Sequence, residues 1–382
     1  MVDKFIELDE EVLNELKDIS GSCIECGLCV KECEMLQHFC VSPKSLFKDA
    51  VRKRNIDVSI PYSCSMCKTC KSVCPKNLDL SNAFMNIRKY VVKNNKKISP
   101  MKGHRSVHMH QKLSFSRLFS GILGNKTGRK KTKRLFMPGC SLCAYNPALV
   151  FKTFEYLKKD FPETALLVEC CGSPSKSIGE EEIFQKKIKK FKEIVDSSGA
   201  IEIITACQSC FLLLRESGLA QNVISLWNVL ANIGLPRGMK GIGKDSDIVF
   251  SIQDSCATRY RDDIQNNVRH IMEELGYRVR EGQYYGKHTH CCGTGGMIST
   301  TNPDISRQIM RATAGCSSTD YILTYCASCR ESMSIGGKKS LHLLDLIFGG
   351  RWDSSCKIPD NISLCRNWVN RYKVIRGGHK FE

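Results

Sequence analysis

Cysteine carries most of the chemistry that can be read from this chain. The run Cys23-x2-Cys26-x2-Cys29-x3-Cys33 is followed by Cys64-x2-Cys67-x2-Cys70-x3-Cys74-Pro75. Three thiolates at x2 spacing can wrap a loop around one face of an iron–sulfur cubane, while a fourth that points away reaches the neighbouring cluster. The expected sets are Cys23, Cys26 and Cys29 with Cys74, and Cys64, Cys67 and Cys70 with Cys33, each for one cubane 4Fe–4S cluster. Zinc is the alternative, but a zinc site needs only four ligands and rarely uses this triple spacing. Glu34 stands where a proline often follows the last cysteine, a departure that touches geometry more than ligation.

A second pattern occurs twice. Cys140, Cys170-Cys171-Gly172 and Cys207-x2-Cys210 are matched by Cys256, Cys291-Cys292-Gly293 and Cys326-x2-Cys329, with similar separations in the two copies. Neighbouring thiolates can bind different irons of one compact cluster, and the glycine behind them allows close backbone approach. A strained turn or a vicinal disulfide is the alternative for one such pair; two matched copies argue for ligation and for an internal duplication.

In these residues the chain resembles the CCG-domain family, best understood in the catalytic subunits of heterodisulfide reductases. The resemblance runs from Cys23 onward and is to the fused form, in which a ferredoxin-like electron-entry part precedes two repeats. It implies a non-cubane 4Fe–4S cluster on five cysteines in each repeat, and all ten positions are cysteine here. It also implies that electrons enter at the cubanes and that a small disulfide is reduced between the two non-cubane clusters, with Cys170, Cys171, Cys291 and Cys292 at the reacting centre. The partners it implies are a flavoprotein, a hydrogenase or formate dehydrogenase module, or a membrane cytochrome subunit. Several relatives that serve lactate, glycolate or glycerol 3-phosphate oxidation lack a cysteine in one or both repeats, so the intact pair favours disulfide reduction. Electron relay for such a flavin-dependent dehydrogenase is the alternative, and a non-catalytic adaptor is a third reading.

Elements must hold these residues in place. Ile6, Val12, Leu13, Leu16 and Ile19 predict a helix over 1–22. Past residue 134, short apolar runs end in cysteines: Leu135–Met137, Ala165–Glu169, Ile201–Ala206, Ile248–Ile252, His288–His290 and Tyr321–Tyr325. Helical patterns at Leu149–Leu157, Phe184–Val195, Val223–Ile233 and Val268–Leu275 separate them. Strands alternating with helices predict a mainly parallel sheet with functional groups at the strands' carboxyl ends. The fold class expected is α+β and multidomain: a helical ferredoxin-like domain at 1–95, a basic connector at 96–134, and pseudo-symmetric α/β CCG repeats at 135–247 and 248–382.

Composition narrows the setting. The 382 residues include 23 cysteines and carry a formal charge of +18. The acidic, amphipathic start MVDKFIELDEEVLNELKDIS has no apolar signal-peptide core, and an odd cysteine count over so long a chain suits metal ligation better than disulfides. No apolar run reaches the ~18 residues of a membrane span. The setting expected is cytoplasmic, with peripheral contact on the inner face of the membrane as a variant.

The charge is concentrated. Between Leu80 and Arg134 there are fifteen Lys and Arg, from Arg88 to Arg134, and no Asp or Glu. Docking an acidic redox partner is the favoured reading of this stretch. Membrane contact through Phe115, Leu118, Phe119, Ile122 and Leu123 comes second, and a solvated linker is the bland reading. No nucleic-acid-binding motif accompanies the charge, so nucleic acid is not an expected partner. His104, His108 and His110 are expected to face solvent. His288 and His290 precede Cys291, where a proton donor to a departing thiolate would be useful, although a strand-end histidine tied to a backbone carbonyl is the more usual arrangement. Cys40, Cys143, Cys316, Cys356 and Cys365 receive no role.

Overall fold

The computed structural model describes residues 4–124, 132–219 and 222–377. The chain opens on a short strand, β1 (Phe5–Glu7), paired antiparallel with β2 (Asn55–Asp57). The helix expected over 1–22 therefore starts late, at Glu10, and runs to Ser22. Asp9 sets that boundary: its carboxylate accepts from the Val12 N–H at 3.0 Å, which requires extended backbone at Asp9 itself. Val12, Leu13 and Leu16 then pack with Phe47, Phe84 and Ile87 in an N-terminal core that also takes in Ile298, Ile305 and Ile309 from far along the chain.

The segment expected as a loose connector is built into the fold. It continues the helix Leu80–Asn94 with a second helix, His104–Ser114, and a strand, β3 (Gly121–Leu123). That strand opens a five-stranded sheet with β4 (Arg134–Met137), β5 (Thr164–Val168), β6 (Glu202–Thr205) and β7 (Asn222–Ser225). The order is β3-β5-β4-β6-β7, parallel throughout except for β3. The second sheet holds β8 (Val249–Gln253), β9 (Arg278–Val279), β10 (Tyr321–Thr324) and β11 (Lys339–His342), all parallel, in the order β11-β10-β8-β9. Both sheets bury their apolar residues in one core, where Trp227 packs edge-on against Tyr325.

Two expected elements differ. Val223–Ile233 divides into β7 and the helix Leu226–Ile233, because the Ser225 hydroxyl accepts from the Trp227 N–H and starts the helix there. His288–His290 is not a strand: Gly286–His288 is a single tight turn. Thr289 donates to the Asp254 carbonyl at 3.0 Å and accepts from Gln253 at 2.9 Å, so this segment is tied to the loop after β8 rather than laid along the sheet.

The cysteines follow the strands' carboxyl ends. Cys140, Cys170 and Cys207 come just after β4, β5 and β6, and Cys256 and Cys326 just after β8 and β10. A C-terminal helix, Leu364–Gly377, packs on the helix Cys140–Tyr145, where the Asn370 side chain donates to the Ala144 carbonyl at 2.7 Å.

Candidate metal centre

Two loops with the same backbone turn hold the N-terminal cysteines. Glu25 (φ 56°) and Gly27 (φ 74°) lie between Cys23 and Cys29, and Met66 (φ 57°) and Lys68 (φ 61°) occupy the equivalent positions between Cys64 and Cys70. A left-handed non-glycine residue costs ~1 kcal/mol or more, so three of them in matched places mark a turn shaped for something at its centre. Cys23, Cys26, Cys29, Cys70 and Cys74 line a cavity of 20 Å³. Cys33, Cys64, Cys67 and Cys70 line another of 190 Å³. Burial and then the neighbouring Cys23, Cys74 and Cys26 push Cys29 up to about 11. Burial raises Cys64 to about 12, with Arg88 opposing, and burial raises Cys70 beside Cys64, Cys67 and Cys33.

Thiols gathered in this way fit a multi-iron group. Left neutral they bury several weak donors together; ionised without a polycation among them they repel one another. The spacing, the matched turns and the buried sulfur-rich centres are those of a 4Fe–4S donor set.

The second repeat adjoins the second of these loops. Cys291 touches Cys256, Cys292 and Cys67, while Cys292 touches Cys329 and Cys329 touches Cys326. Hydrogen bonding with Cys291 is the largest influence raising the Cys67 thiol, followed by burial. Gly295 and Gly296 permit this approach. A Cβ on Gly295 would lie 2.2 Å from the Ser65 carbonyl oxygen, and one on Gly296 (φ 59°) would lie 2.3 Å from that of Cys64.

Two buried arginines fasten the contact. Arg88 donates to the carbonyls of Pro61 (2.9 Å), Cys64 (2.6 Å), Gly296 (2.9 Å) and Ser177. Arg259 donates to the Cys67 carbonyl at 3.1 Å, the Thr69 hydroxyl at 2.8 Å and the Lys287 carbonyl. Arg88, counted in the basic stretch read as a partner-docking surface, is wholly buried. The sequence signal for this joint was the run Gly293-Thr294-Gly295-Gly296, which has no counterpart after Gly172.

The first repeat gathers its cysteines differently. Cys140 touches Cys170, and Cys210 touches both Cys171 and Cys207. Gly139 (φ 82°) is required here, since a Cβ would lie 2.6 Å from that of Cys207. The hydrogen bond with Cys170, with Arg371 and His110 alongside, holds the Cys140 thiol well below its ordinary range. Cys207 neighbours Cys326 across the junction of the repeats, and the hydroxyls of Ser141 and Ser328 bond there at 2.8 Å. A cavity of 140 Å³ opens at this junction, lined by His110, Cys140, Tyr145, Arg330, Trp368 and Arg371 among others. Cys140 is the one cysteine lining it among the described residues.

The histidines depart from expectation. His104 is fully buried on the Ser99 hydroxyl, and burial lowers its pKa to about 3. His108 bonds buried Glu180 at 2.7 Å, and His110 lies beside Cys140 and Cys170. None of the three stands free in solvent, because the helix His104–Ser114 packs into the fold. His290 turns toward the N-terminal part, bonding Glu32 at 2.9 Å and stacking on Tyr284 at 3.7 Å, with burial lowering its pKa against the pull of Glu32. His288 is exposed.

Most of the expected apolar patch is likewise absorbed. Leu123 is buried in β3 and Phe119 packs on Trp368, leaving Leu118 exposed. Several of the basic charges are paired, Lys89 with Glu181, Lys97 with Glu182, Lys133 with Glu163 and Arg134 with Glu202. Lys126, Arg129, Lys130 and Lys131 lie outside the described residues. Of the unassigned cysteines, Cys40 neighbours Cys29 and Cys23, Cys143 is buried below Cys140, Cys316 and Cys356 are half-buried, and Cys365 is exposed.

Comparison with known proteins identifies the domains that carry these cysteines. A 4Fe-4S dicluster domain matches residues 19–78, and the cysteine-rich CCG domain matches twice, at 135–215 and 250–334. The chain is a CCG-domain iron–sulfur protein. Among its relatives is an uncharacterized iron–sulfur protein of Methanococcus maripaludis, 23% identical over 90% of this chain and 74% of that protein. One of the subunits of the fumarate reductase (CoM/CoB) of Methanothermobacter marburgensis is 22% identical over 88% of this chain and 73% of its own length. One of the subunits of the dihydromethanophenazine:CoB–CoM heterodisulfide reductase of Methanosarcina barkeri is 24% identical over 78% of this chain and 76% of its own. This CCG-domain protein is thus an iron–sulfur electron-transfer subunit related to that heterodisulfide reductase chain, with mixed helix and sheet behind a ferredoxin-like domain. No described helix is long and apolar enough to cross a membrane.

Proposed function

We propose that this chain is the disulfide-reducing subunit of a larger cytoplasmic redox complex. The observation that carries the reading is a continuous series of thiols. It starts at exposed Cys26, runs through the set of Cys23, Cys29 and Cys74 to that of Cys33, Cys64, Cys67 and Cys70, crosses to Cys291 and the second repeat, and passes from Cys326 to Cys207 and the first. It ends at Cys140 and the cavity. When bound, two cubane and two non-cubane 4Fe–4S groups supply one-electron transfer along this series.

The chain's own residues give the series direction. Arg88, Arg259, Gly295 and Gly296 hold the N-terminal loop against the second repeat. The first repeat faces the cavity at the junction, where a small disulfide has room. Its reduction to two thiols consumes two electrons and two protons; run in reverse, the same site oxidises two thiols. The shared orders β5-β4-β6-β7 and β9-β8-β10-β11 support treating the repeats as pseudo-symmetric. Exposed Cys26, with exposed Ile24 and Leu28 beside it, is where an electron-donating flavoprotein, hydrogenase module or cytochrome subunit would dock.

The test uses the full chain purified without oxygen. About 16 iron atoms per chain are expected for four four-iron groups, with turnover of a small disulfide by reduced viologen that Cys170→Ser and Cys291→Ser each abolish. About 8 iron atoms with bound zinc, or turnover unchanged in both variants, would overturn the reading and leave a relay or adaptor role.

A further inference from the structure

The two repeats carry the same five cysteines, yet among the described residues only the first is approached by a histidine and an arginine from outside the repeats. His110 comes from the helix His104–Ser114 and Arg371 from the C-terminal helix, and neither lies within the two CCG matches. A ring nitrogen of His110 and the Sγ atoms of Cys140 and Cys170 lie within 4.8 Å of one another. The His110 ring is held by Trp368, at 5.1 Å between centroids. Arg371 is 2% exposed. Its Nε donates to the Phe119 carbonyl at 2.7 Å and its Nη2 to the Ser114 carbonyl at 3.3 Å, while Nη1 is buried with no hydrogen-bond partner among the described residues. The same guanidinium lies beside the Cys140 sulfur. At the second site Arg259 spends its donors on two carbonyls and a hydroxyl.

We propose that His110 and Arg371 donate hydrogen bonds to the sulfurs of Cys140 and Cys170 and thereby set the first-repeat site at a higher reduction potential than the second. Hydrogen bonds to cluster sulfurs and nearby positive charge favour the reduced, more negative state. Electrons then collect beside the cavity rather than at the inner repeat. Both are positioning residues acting through Cys140 and Cys170. The inference rests on the reading that these cysteines hold an iron–sulfur group.

The test is an EPR-monitored redox titration of the full iron-loaded chain, the first-repeat signal being the one that Cys170→Ser removes. In His110→Ala and in Arg371→Met, the reduced-to-oxidised ratio of that signal at fixed ambient potential should fall about tenfold, ~59 mV for a one-electron couple. Signals from the second repeat and the cubanes should stay in place, and Arg371→Lys should recover most of the loss. No shift in His110→Ala, which leaves the buried Arg371 bonds intact, or an equal shift of both repeat signals, would overturn the proposal. A wild-type chain lacking the iron would instead remove the functional reading beneath it.

Discussion

The first and second repeats offer the same cysteines in the same order, and differ in what stands next to them. The second is sealed by another cysteine loop: Cys67 touches Cys291, two glycines admit the loop backbone, and Arg88 and Arg259 bond its carbonyls. The first is flanked by His110, Arg371 and an open cavity. A duplicated motif sets which cysteines are offered, and on the reading proposed above the residues packed around each copy decide whether it receives electrons or hands them to a substrate.

The largest effect should come from breaking the inner joint. Arg88→Met would strip donors from the Pro61, Cys64, Ser177 and Gly296 carbonyls. Leaving these buried acceptors unpaired should cost on the order of 4 kcal/mol, read by anaerobic denaturant unfolding, together with loss of iron from the Cys64 set. A cost below ~1 kcal/mol would mean that the joint is not held by this side chain.

Gly296→Ala and Gly139→Ala separate the two sites. Each forces a side chain into a left-handed backbone against an atom 2.3 Å and 2.6 Å away, respectively, for roughly 2 kcal/mol of strain. The Gly296 variant should slow reduction of the repeats by the N-terminal clusters in rapid mixing, whereas the Gly139 variant should lose only the first-repeat signal. Identical phenotypes would erase the distinction.

The smallest effect concerns charge where the repeats meet. Asp345, third in the helix after β11, accepts from Tyr145 of the first repeat at 2.7 Å; the third residue after β7 is Asn228, which cannot ionise. Burial raises Asp345 to about 6, with Tyr145 and His342 opposing. A carboxyl raised in the folded state contributes its full stability below the unfolded pKa and loses it as pH rises through the folded one. From pH 5 to pH 7 the chain should therefore lose about 1 kcal/mol through this group, and Asp345→Asn should flatten that slope in denaturant unfolding.

The sequence made the cysteine sets and most of the strands legible, because ligand spacing and apolar runs are local in the chain. The neighbours of each set were not, because they arrive from far away. Arg88 lies in a run of basic residues and resembles a surface charge until four carbonyls, one of them over two hundred residues distant, close on it. His110 lies in a segment with no acid to pair it, and its partners Cys140, Cys170 and Trp368 come from two other helices and the loop after β5. The first helix began late because one capping carboxylate outweighed the spacing of Ile6.

The central claim is that the first repeat, not the second, meets the substrate. It is tested most directly by EPR of the oxidised, iron-loaded chain titrated with a small thiol, in wild type, Cys170→Ser and Cys291→Ser. A thiol entering beside Cys140 should perturb a signal that Cys170→Ser removes and Cys291→Ser retains. A thiol-dependent signal that survives Cys170→Ser and disappears in Cys291→Ser would contradict the account, because it would place the substrate at the inner repeat.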